Sequence, residues 1–250
     1  MNLEQLKAAE ATTIATTTFY NPNSEVDKSR AEISKGAIRN MKDLGYEVVV
    51  VDGGSSDEFL DSISPYCKLF NENPQGMGNG RRQAVRECLE TNARVIAWTE
   101  PEKESYIPEL YKTVTPILNG EAELVMPSRP NLDNYPLTQQ YAEKFAIKTM
   151  GNLTGKTLDY WFGPKTWKKE LSTIVLDYKS EYGDKWDSLF LPFLKIIKSG
   201  VKTIDIPVNY KHPNQQTLIE EGDVNMDLKR LIQLNNLIPA SIDYWKSLDN

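Results

Sequence analysis

Two carboxylates and a lysine come directly after a short apolar run near the middle of the chain. Val95–Trp98 is continuously apolar, and Glu100, Glu102 and Lys103 follow within five residues. A short apolar run between polar residues is typical of a strand buried on both faces of a sheet. Two acids at the exit of such a strand could hold a divalent cation together. The alternative is a solvated turn whose acids cap the next helix, or a pair of acids that Lys103 neutralises.

A glycine-rich segment before a predicted helix supplies the second set of candidate residues. Pro74–Arg82 reads P-Q-G-M-G-N-G-R-R. Backbone N–H groups beside glycine can approach an anion closely, and a helix N-terminus adds partial positive charge. We expect this segment to contact phosphate through Gly76, Gly80, Arg81 and Arg82. A plain turn is the alternative, because glycine alternation alone is weak evidence.

The composition indicates a globular protein that does not bind nucleic acid. The 250 residues are 40% hydrophobic, which is enough for a core. The net charge is −6 and basic residues never run beyond a pair, which argues against a nucleic-acid partner. Cys67 and Cys88 are too few for a disulfide framework or a zinc site, so we expect reduced thiols in a cytoplasmic protein. We expect no transmembrane segment, because no long apolar run occurs.

Strand and helix patterns alternate along the chain, and this alternation predicts an α/β fold with a mostly parallel sheet flanked by helices. Strands are predicted at Thr12–Phe19, Glu47–Val51, Lys68–Phe70, Val95–Trp98 and Glu123–Met126, of which Glu47–Val51 and Val95–Trp98 are expected to be buried, and a half-exposed strand at Val201–Val208. Helix is predicted from Thr166 to about Leu176 and, as a C-terminal tail, from Val224 onward. No repeat or linker divides the chain, so residues 1–250 are predicted to form one domain. In such sheets, ligands bind at the carboxyl ends of the strands.

Element order and motifs together resemble the GT-A fold of family 2 nucleotide-sugar glycosyltransferases, which is Rossmann-like. Tyr20 and Asn21 stand where that family has T-Y-N, Val49–Asp57 is similar to V-V-D-D-G-S-T-D, and Glu100-Pro101-Glu102 stands in place of D-x-D. The resemblance runs from Ile14 to about Leu234. Further motifs similar to those of polyprenyl-phosphate mannosyltransferase-like members are Leu124–Arg129 and Gly163–Glu170.

The resemblance implies roles for individual residues. Tyr20, Asn21 and Asp52 would bind the nucleotide, and Glu100 would contact the nucleotide sugar as well as the metal. Soluble synthases of mannosylglycerate and glucosyl-3-phosphoglycerate offer a second comparison, which implies that His212 is the third metal ligand beside Glu100 and Glu102. That comparison also implies that Asp187 positions or deprotonates the acceptor. The cofactor would be Mn²⁺ or Mg²⁺.

The predicted activity is transfer of a hexose from a UDP- or GDP-linked sugar to a small or lipid-linked hydroxyl acceptor. The nucleotide part would span about residues 12–127 and the acceptor part about 128–250, and a homodimer is compatible with these features. The chain departs from the family pattern in two glutamates for aspartates, in Gly53 for the second acid of V-V-D-D, and in Pro22. A degenerate GT-A domain without turnover and a nucleotidyltransferase are the alternatives. The two resemblances favour opposite stereochemical outcomes.

Overall fold

The run of four valines in the second strand shows how the sheet is covered. In the computed structural model, which describes residues 1–249, Val48 and Val50 pack into one core while Val49 and Val51 pack into a second core. Side chains alternate across a strand, so an uninterrupted apolar run fills both faces. Helices therefore lie on both sides of the sheet, as the valine pattern requires.

Ten α-helices and seven strands make up the described part of the chain. The helices are α1 Leu3–Glu10, α2 Glu25–Asp43, α3 Asp57–Ile63, α4 Met77–Leu89, α5 Leu110–Leu118, α6 Leu137–Thr154, α7 Ser172–Leu176, α8 Asp187–Lys198, α9 Asn214–Glu220 and α10 Val224–Ser247. The strands are β1 Thr12–Thr18, β2 Glu47–Asp52, β3 Lys68–Asn71, β4 Val95–Trp98, β5 Leu124–Ser128, β6 Lys165–Lys168 and β7 Thr203–Pro207. The predicted α/β class and the mostly parallel sheet are confirmed, as is the helical tail.

The seven strands form one sheet in the order β3-β2-β1-β4-β6-β5-β7. Only β6 is antiparallel to its neighbours, β4 and β5. The predicted helix from Thr166 to about Leu176 starts too early, because Lys165–Lys168 forms this strand, a 3-10 turn follows at Lys169–Leu171, and α-helix begins at Ser172. The hydroxyl of Thr166 hydrogen-bonds Thr113 and the Trp167 indole reaches Ser172, so burial between two strands overrides local helical spacing. Helix α9 was not predicted either.

The sheet topology places the candidate residues at one edge. Strands β1, β2 and β4 run in parallel, and Trp98 at the end of β4 pairs with Lys165 at the start of β6. The segment after β4 therefore lies beside the segment before β6, and β5 and β7 end at the same edge. On the flank of this edge, α6 packs against α10. None of the described helices combines the length and the apolar character needed to span a membrane.

Candidate active site

A cavity of about 580 Å³ lies at the carboxyl ends of the strands and collects charged side chains from distant parts of the chain. Glu100, Glu102 and Lys103 reach it from the segment after β4, His212 from the segment after β7, and Arg230 from α10. Parallel strands bring their carboxyl ends together, so residues far apart in sequence meet here. The predicted acids and the predicted histidine thus line a common cavity.

Glu100 carries a carboxylate without a hydrogen bond. Its Oε2 is buried and has no partner among residues 1–249. A Cβ atom on Gly163 would lie 2.0 Å from Oε1 of Glu100, so only glycine at this position leaves room for the carboxylate. Buried carboxylate oxygens normally have partners, so this oxygen is open to a ligand that supplies positive charge or a donor.

Glu102 is already neutralised by the protein. Its Oε1 lies 2.5 Å from Nη2 of Arg30, which belongs to α2, and both side chains are largely buried. Burial alone would raise the pKa of Glu102, but the adjacent Arg30 guanidinium brings that pKa below its usual value. A metal ion would have to replace Arg30 to gain this carboxylate.

Lys103 does not form the ion pair considered from the sequence. No carboxylate lies within 4 Å of its ammonium in the described part of the chain. Instead, Nζ stands 5.0 Å from the ring centroid of Tyr210 and 5.5 Å from that of Phe162, within cation–π distance of both rings. Aromatic faces hold this cation at the cavity wall without neutralising it.

His212 is held by aromatic neighbours with one nitrogen open. Its ring stacks on Tyr135 with centroids 4.3 Å apart, and Nδ1 lies 3.4 Å from the Tyr210 hydroxyl. Its buried Nε2 has no hydrogen-bond partner in the part of the chain that the structure describes. Burial, together with the nearby positive charge of Lys103, lowers the pKa of His212 to about 3. The imidazole is therefore neutral near pH 7, as a metal ligand must be.

The donor atoms of Glu100 and His212 fit a divalent cation. A carboxylate oxygen and a neutral imidazole nitrogen, both buried and both without partners, suit Mn²⁺. Across residues 1–249, however, no three His, Cys, Asp or Glu side chains are grouped closely enough to hold a metal. The three-residue set of Glu100, Glu102 and His212 therefore stays a prediction, and Glu102 already pairs with Arg30.

Asp52 is occupied by its own turn. Its Oδ1 accepts the N–H groups of Gly54 and Ser55 at 2.8 and 2.7 Å, and its Oδ2 accepts the hydroxyls of Thr18 and Ser55, both at 2.6 Å. The side chain is buried and does not line the cavity. These bonds make Asp52 a turn acid, so the predicted contact between Asp52 and the nucleotide has no support here.

Only one of the two residues after β1 reaches the cavity. Tyr20 lines it, donating or accepting a 2.5 Å hydrogen bond with Ser34. Asn21 instead closes a turn, because its Oδ1 accepts the N–H of Asn23 at 2.9 Å. The nucleotide-binding prediction is thus compatible with the position of Tyr20, whereas Asn21 lies outside the cavity lining.

The glycine-rich segment uses its N–H groups inside the protein. Gly76 lines the cavity, but its N–H donates to Oε2 of Glu72 at 3.0 Å, and the Gly80 N–H donates to the Gly76 carbonyl at 2.9 Å. Gly80 itself is buried and does not line the cavity. The expected phosphate cradle is therefore not open in this arrangement, because the carboxylate of Glu72 already takes the exposed donor.

The two arginines at the start of α4 have different surroundings. Arg82 forms an ion pair with Asp184 at 2.6 Å and does not line the cavity, so its predicted phosphate contact is not supported. Arg81 does line the cavity, with Nη1 donating to the Lys185 carbonyl and its Nε unpartnered among the described residues. Burial lowers the pKa of Arg81 to about 10, so this guanidinium still carries its charge near pH 7.

Asp187 anchors a loop. Its Oδ2 accepts the hydroxyls of Tyr178 and Ser180 at 2.8 and 2.5 Å, and its Oδ1 accepts the N–H of Lys185 at 2.8 Å. The neighbouring Trp186 lines the cavity, while Asp187 does not. The predicted contact with the acceptor is therefore not supported, because the carboxylate is buried and its oxygens are bonded to the loop.

Several cavity residues escaped the sequence reasoning. Arg30 on α2, Glu72 after β3, and Lys229 and Arg230 on α10 carry no recognisable motif. Lys229 has no ion-pair partner within residues 1–249, and burial, with the adjacent Arg230, lowers its pKa to about 8. Of these residues, only Glu72 could have been predicted as a cavity residue, because it directly follows a strand and ligands bind at the carboxyl ends of strands.

Solved structures with the same fold include several sugar transferases. Glucosyl-3-phosphoglycerate synthase from Mycobacterium tuberculosis, in complex with Mn²⁺, uridine-diphosphate-glucose and phosphoglyceric acid, superposes with a TM-score of 0.66 at 14% identity, covering 98% of this chain and 84% of that chain. Mannosyl-3-phosphoglycerate synthase from Rubrobacter xylanophilus gives 0.60 at 14% identity, with 92% and 75% covered. A Pyrobaculum calidifontis mannosyltransferase in complex with GDP-Man and Mn²⁺ gives 0.53 at 15% identity, with 95% and 73% covered.

These likenesses establish the GT-A fold, and the sequence itself establishes the family. No curated protein matches the chain in sequence. The family model described as glycosyl transferase family 2 matches residues 28–172, which is more than half of the chain. This range includes the β2 exit, the glycine-rich segment and the Glu100 segment, so the match includes many of the residues that line the cavity. The chain is a GT-A glycosyltransferase and belongs to glycosyl transferase family 2.

Proposed function

We propose that the protein transfers a hexose from a UDP- or GDP-linked sugar to a hydroxyl acceptor, with the reaction taking place in the cavity at the strand ends. The observation that carries this proposal is the pair of unpartnered buried atoms, Glu100 Oε2 and His212 Nε2, in a cavity that also holds cations without carboxylate partners. A buried polar atom without a hydrogen-bond partner destabilises the folded protein unless a ligand supplies that partner. The nucleotide sugars bound in the similar structures, uridine-diphosphate-glucose and GDP-Man, support the substrate class.

A divalent cation, Mn²⁺ or Mg²⁺, would be held by Glu100 and His212, with Glu102 as a third ligand in competition with Arg30. When bound, the ion would act as a Lewis acid on the departing diphosphate. The similar structures with Mn²⁺ support this assignment. An imidazole ligand favours Mn²⁺ over Mg²⁺, because it is softer than oxygen.

The residues of the chain would stabilise the leaving group and enclose the reaction. During transfer, the bond between the anomeric carbon and the diphosphate oxygen breaks, the diphosphate keeps the electron pair, and the anomeric carbon bonds the acceptor oxygen. Lys103 and Lys229 lack ion-pair partners in the described chain, so their ammonium groups are available to the negative charge that develops. The acceptor hydroxyl gives its proton to the departing diphosphate or to water in the same reaction, which balances the step.

The two halves of the chain would divide the substrates between them. Residues of about 12–127 would supply most of the nucleotide side, and residues of about 128–250 would supply the acceptor side, together with His212 and Lys229, which also face the diphosphate in the shared cavity. A small or lipid-linked alcohol is the proposed acceptor. A cytoplasmic setting is proposed because Cys67 and Cys88 are free. Burial raises the pKa of both thiols, so neither is a reactive thiolate near pH 7.

A homodimer is the proposed assembly. Leu137, Tyr141 and Phe145 recur every four residues on α6 and are each more than half exposed, and α10 exposes Leu228 and Leu231. Exposed apolar surface on this scale marks an interaction site. The net charge of −6 disfavours an anionic lipid surface as its partner, so a second copy of the chain is the better occupant.

A thermal-shift screen followed by a turnover assay tests the proposed function. UDP-glucose, GDP-mannose and ADP-glucose are each added with Mn²⁺ and with chelator, and we expect one of the first two to stabilise the protein in the presence of Mn²⁺. The stabilising sugar is then assayed for release of its nucleoside diphosphate with a panel of alcohol acceptors. Stabilisation without release for every acceptor would favour a non-catalytic domain, and no stabilisation would overturn the proposal.

A further inference from the structure

Glu72 presents a carboxylate to the cavity at the exit of β3. Its Oε2 accepts the Gly76 N–H at 3.0 Å, whereas Oε1 accepts no hydrogen bond from any residue in the range 1–249. The residue lines the cavity and is only partly buried. One of its oxygens is therefore free to accept a hydrogen bond from a ligand.

Two glycines leave the space that this carboxylate occupies. A Cβ atom on Gly80 would lie 2.2 Å from Oε1 of Glu72, and one on Gly53 would lie 3.4 Å from Oε2. Gly53 stands where the resemblance leads one to expect the second acid of the strand-two motif. The carboxylate from β3 thus stands close to the place that a side chain at position 53 would enter.

An exposed aromatic ring borders the same glycine. A Cβ atom on Gly53 would lie 3.5 Å from Cδ2 of Phe19, and Phe19 lines the cavity with 61% of its surface exposed. A flat ring at a cavity wall offers a stacking surface to a nucleobase. A free carboxylate and an exposed ring therefore meet at one end of the cavity.

The ligand at this end must bring hydrogen-bond donors. The carboxylate lies at the start of α4 and takes the loop N–H, so the helix N-terminus is already satisfied by negative charge. A phosphate placed here would meet a like charge, whereas O–H and N–H groups would be favoured. Asp52, the nearby acid at the end of β2, has both oxygens engaged by four hydrogen bonds and cannot take this role.

We propose that Glu72 accepts a hydrogen bond from an N–H or O–H group of the donor nucleoside while Phe19 stacks on its base. This inference rests on the proposed function and adds the residues that recognise the nucleoside. It also assigns the diphosphate to the far side of the glycine-rich segment, near Arg81 and Lys103. Glu72 thereby takes over the recognition that the resemblance assigns to the acids at the end of β2.

Calorimetry with UDP and GDP in the presence of Mn²⁺ tests the inference. The substitution Glu72→Gln keeps the shape of the side chain and removes its charge, and we expect affinity for the better nucleotide to fall at least about tenfold. Phe19→Ala should weaken binding as well. The control Glu58→Gln removes a charge from an exposed residue of α3 outside the cavity and should leave affinity within about twofold.

Inorganic pyrophosphate separates recognition of the nucleoside from damage to the fold. For Glu72→Gln we expect pyrophosphate affinity to stay the same or rise, because a nearby negative charge is lost. Comparing UDP with 2′-deoxy-UDP narrows the donor group: a loss equal to that of Glu72→Gln identifies the 2′-hydroxyl, and an unchanged affinity leaves the base N–H or the 3′-hydroxyl, both in support. Nucleotide affinity that is unchanged or higher in Glu72→Gln overturns this inference alone, as does an equal loss of pyrophosphate binding. A wild-type protein that binds neither nucleotide overturns the proposed function with it.

Discussion

At the scale of single residues, Gly163 determines where Glu100 can stand. The carboxylate occupies the space in which any larger residue would place its Cβ. Gly163 has no left-handed backbone angle, so the need for glycine comes from the carboxylate and not from the turn. The G-P-K sequence at 163–165 resembles part of a family motif. Its contact with Glu100 links the segment before β6 to the segment after β4, which the sequence alone does not connect.

Gly163→Ala should displace Glu100 and lower binding of Mn²⁺ with the nucleotide sugar by about tenfold, while stability changes by less than about 1 kcal/mol. The displaced group is the end of a flexible side chain, which explains the small effect on folding. Titration calorimetry and urea unfolding measure the two effects. Gly151→Ala, on α6 with its nearest atom 3.6 Å from the new Cβ, is the control and should bind normally. An additive loss in Gly163→Ala/Glu100→Gln would contradict the account, because both changes should remove the same ligand.

Lys165 gives the protein a pH dependence that can be measured. Within residues 1–249 the buried side chain has no ion-pair partner, and its ammonium donates to the carbonyls of Phe162 and Gly163. Burial lowers its pKa to about 8. Between about pH 8 and pH 10.5 the unfolded chain holds a proton on this lysine that the folded chain has released. Its contribution therefore raises stability as pH rises through this window.

Lys165→Met should remove this contribution. Between pH 8 and pH 10.5, the free energy of unfolding of the wild type should rise by about 3 kcal/mol relative to that of the variant, as the size of the pKa shift requires. Urea unfolding at several pH values checks it. Lys168→Met, on the same strand but partly exposed, is the control and should show a constant difference. A constant difference for Lys165→Met would show that its ammonium stays protonated in the folded protein.

At the scale of elements, a buried ion pair joins α2 to the segment after β4. Arg30 and Glu102 come from elements that are not neighbours in the chain, and their pairing holds α2 against the cavity wall. The sequence placed Glu102 correctly after a buried strand, but the D-x-D resemblance could not reveal that a helix 70 residues earlier would supply its counter-charge. Partners of this kind depend on tertiary packing, which no local spacing records.

Arg30→Met should cost about 3–5 kcal/mol of unfolding free energy, because it leaves the buried Glu102 without a counter-charge. Most of that loss should be recovered in Arg30→Met/Glu102→Gln. Lys28→Met on the same helix breaks an exposed pair with Glu25 and should cost under about 1 kcal/mol. Chemical denaturation of the four proteins decides the matter. Equal losses for Lys28→Met and Arg30→Met would show that the buried pair contributes no more than a surface pair.

Strands with a continuous apolar or β-branched pattern can be predicted from the sequence, whereas β6, whose pattern is ambiguous, cannot. The runs at β2 and β4 are apolar on both faces, and β1 is a mostly β-branched run, T-T-I-A-T-T-T, so each is predicted within a residue or two. Strand β6 has four residues, K-T-W-K, and its pattern also fits the first turn of a helix. Hydrogen bonds to β4 and β5 make this segment a strand, and those two strands lie at least about 40 residues away in the chain.

At the scale of the whole molecule, the exposed apolar residues of α6 and α10 form the proposed contact between two copies of the chain. Leu228→Glu/Leu231→Glu should shift the protein from dimer to monomer, because it buries charge at the proposed contact. Sedimentation equilibrium measures the mass directly. Leu3→Glu on α1 places an acid at an equally exposed leucine away from this face and should leave the dimer intact. A wild-type protein that sediments as a monomer would remove the second copy from the account.

The central claim is that the cavity binds a nucleotide sugar through a cation held by Glu100. The most direct measurement is titration calorimetry of UDP-glucose and of GDP-mannose, with Mn²⁺, into the wild type, Glu100→Gln and the surface control Glu58→Gln. The wild type and the control should bind one of the two sugars with equal affinity, and Glu100→Gln should bind it at least about tenfold more weakly. Binding that is equal in all three proteins, or absent from the wild type, would contradict the claim.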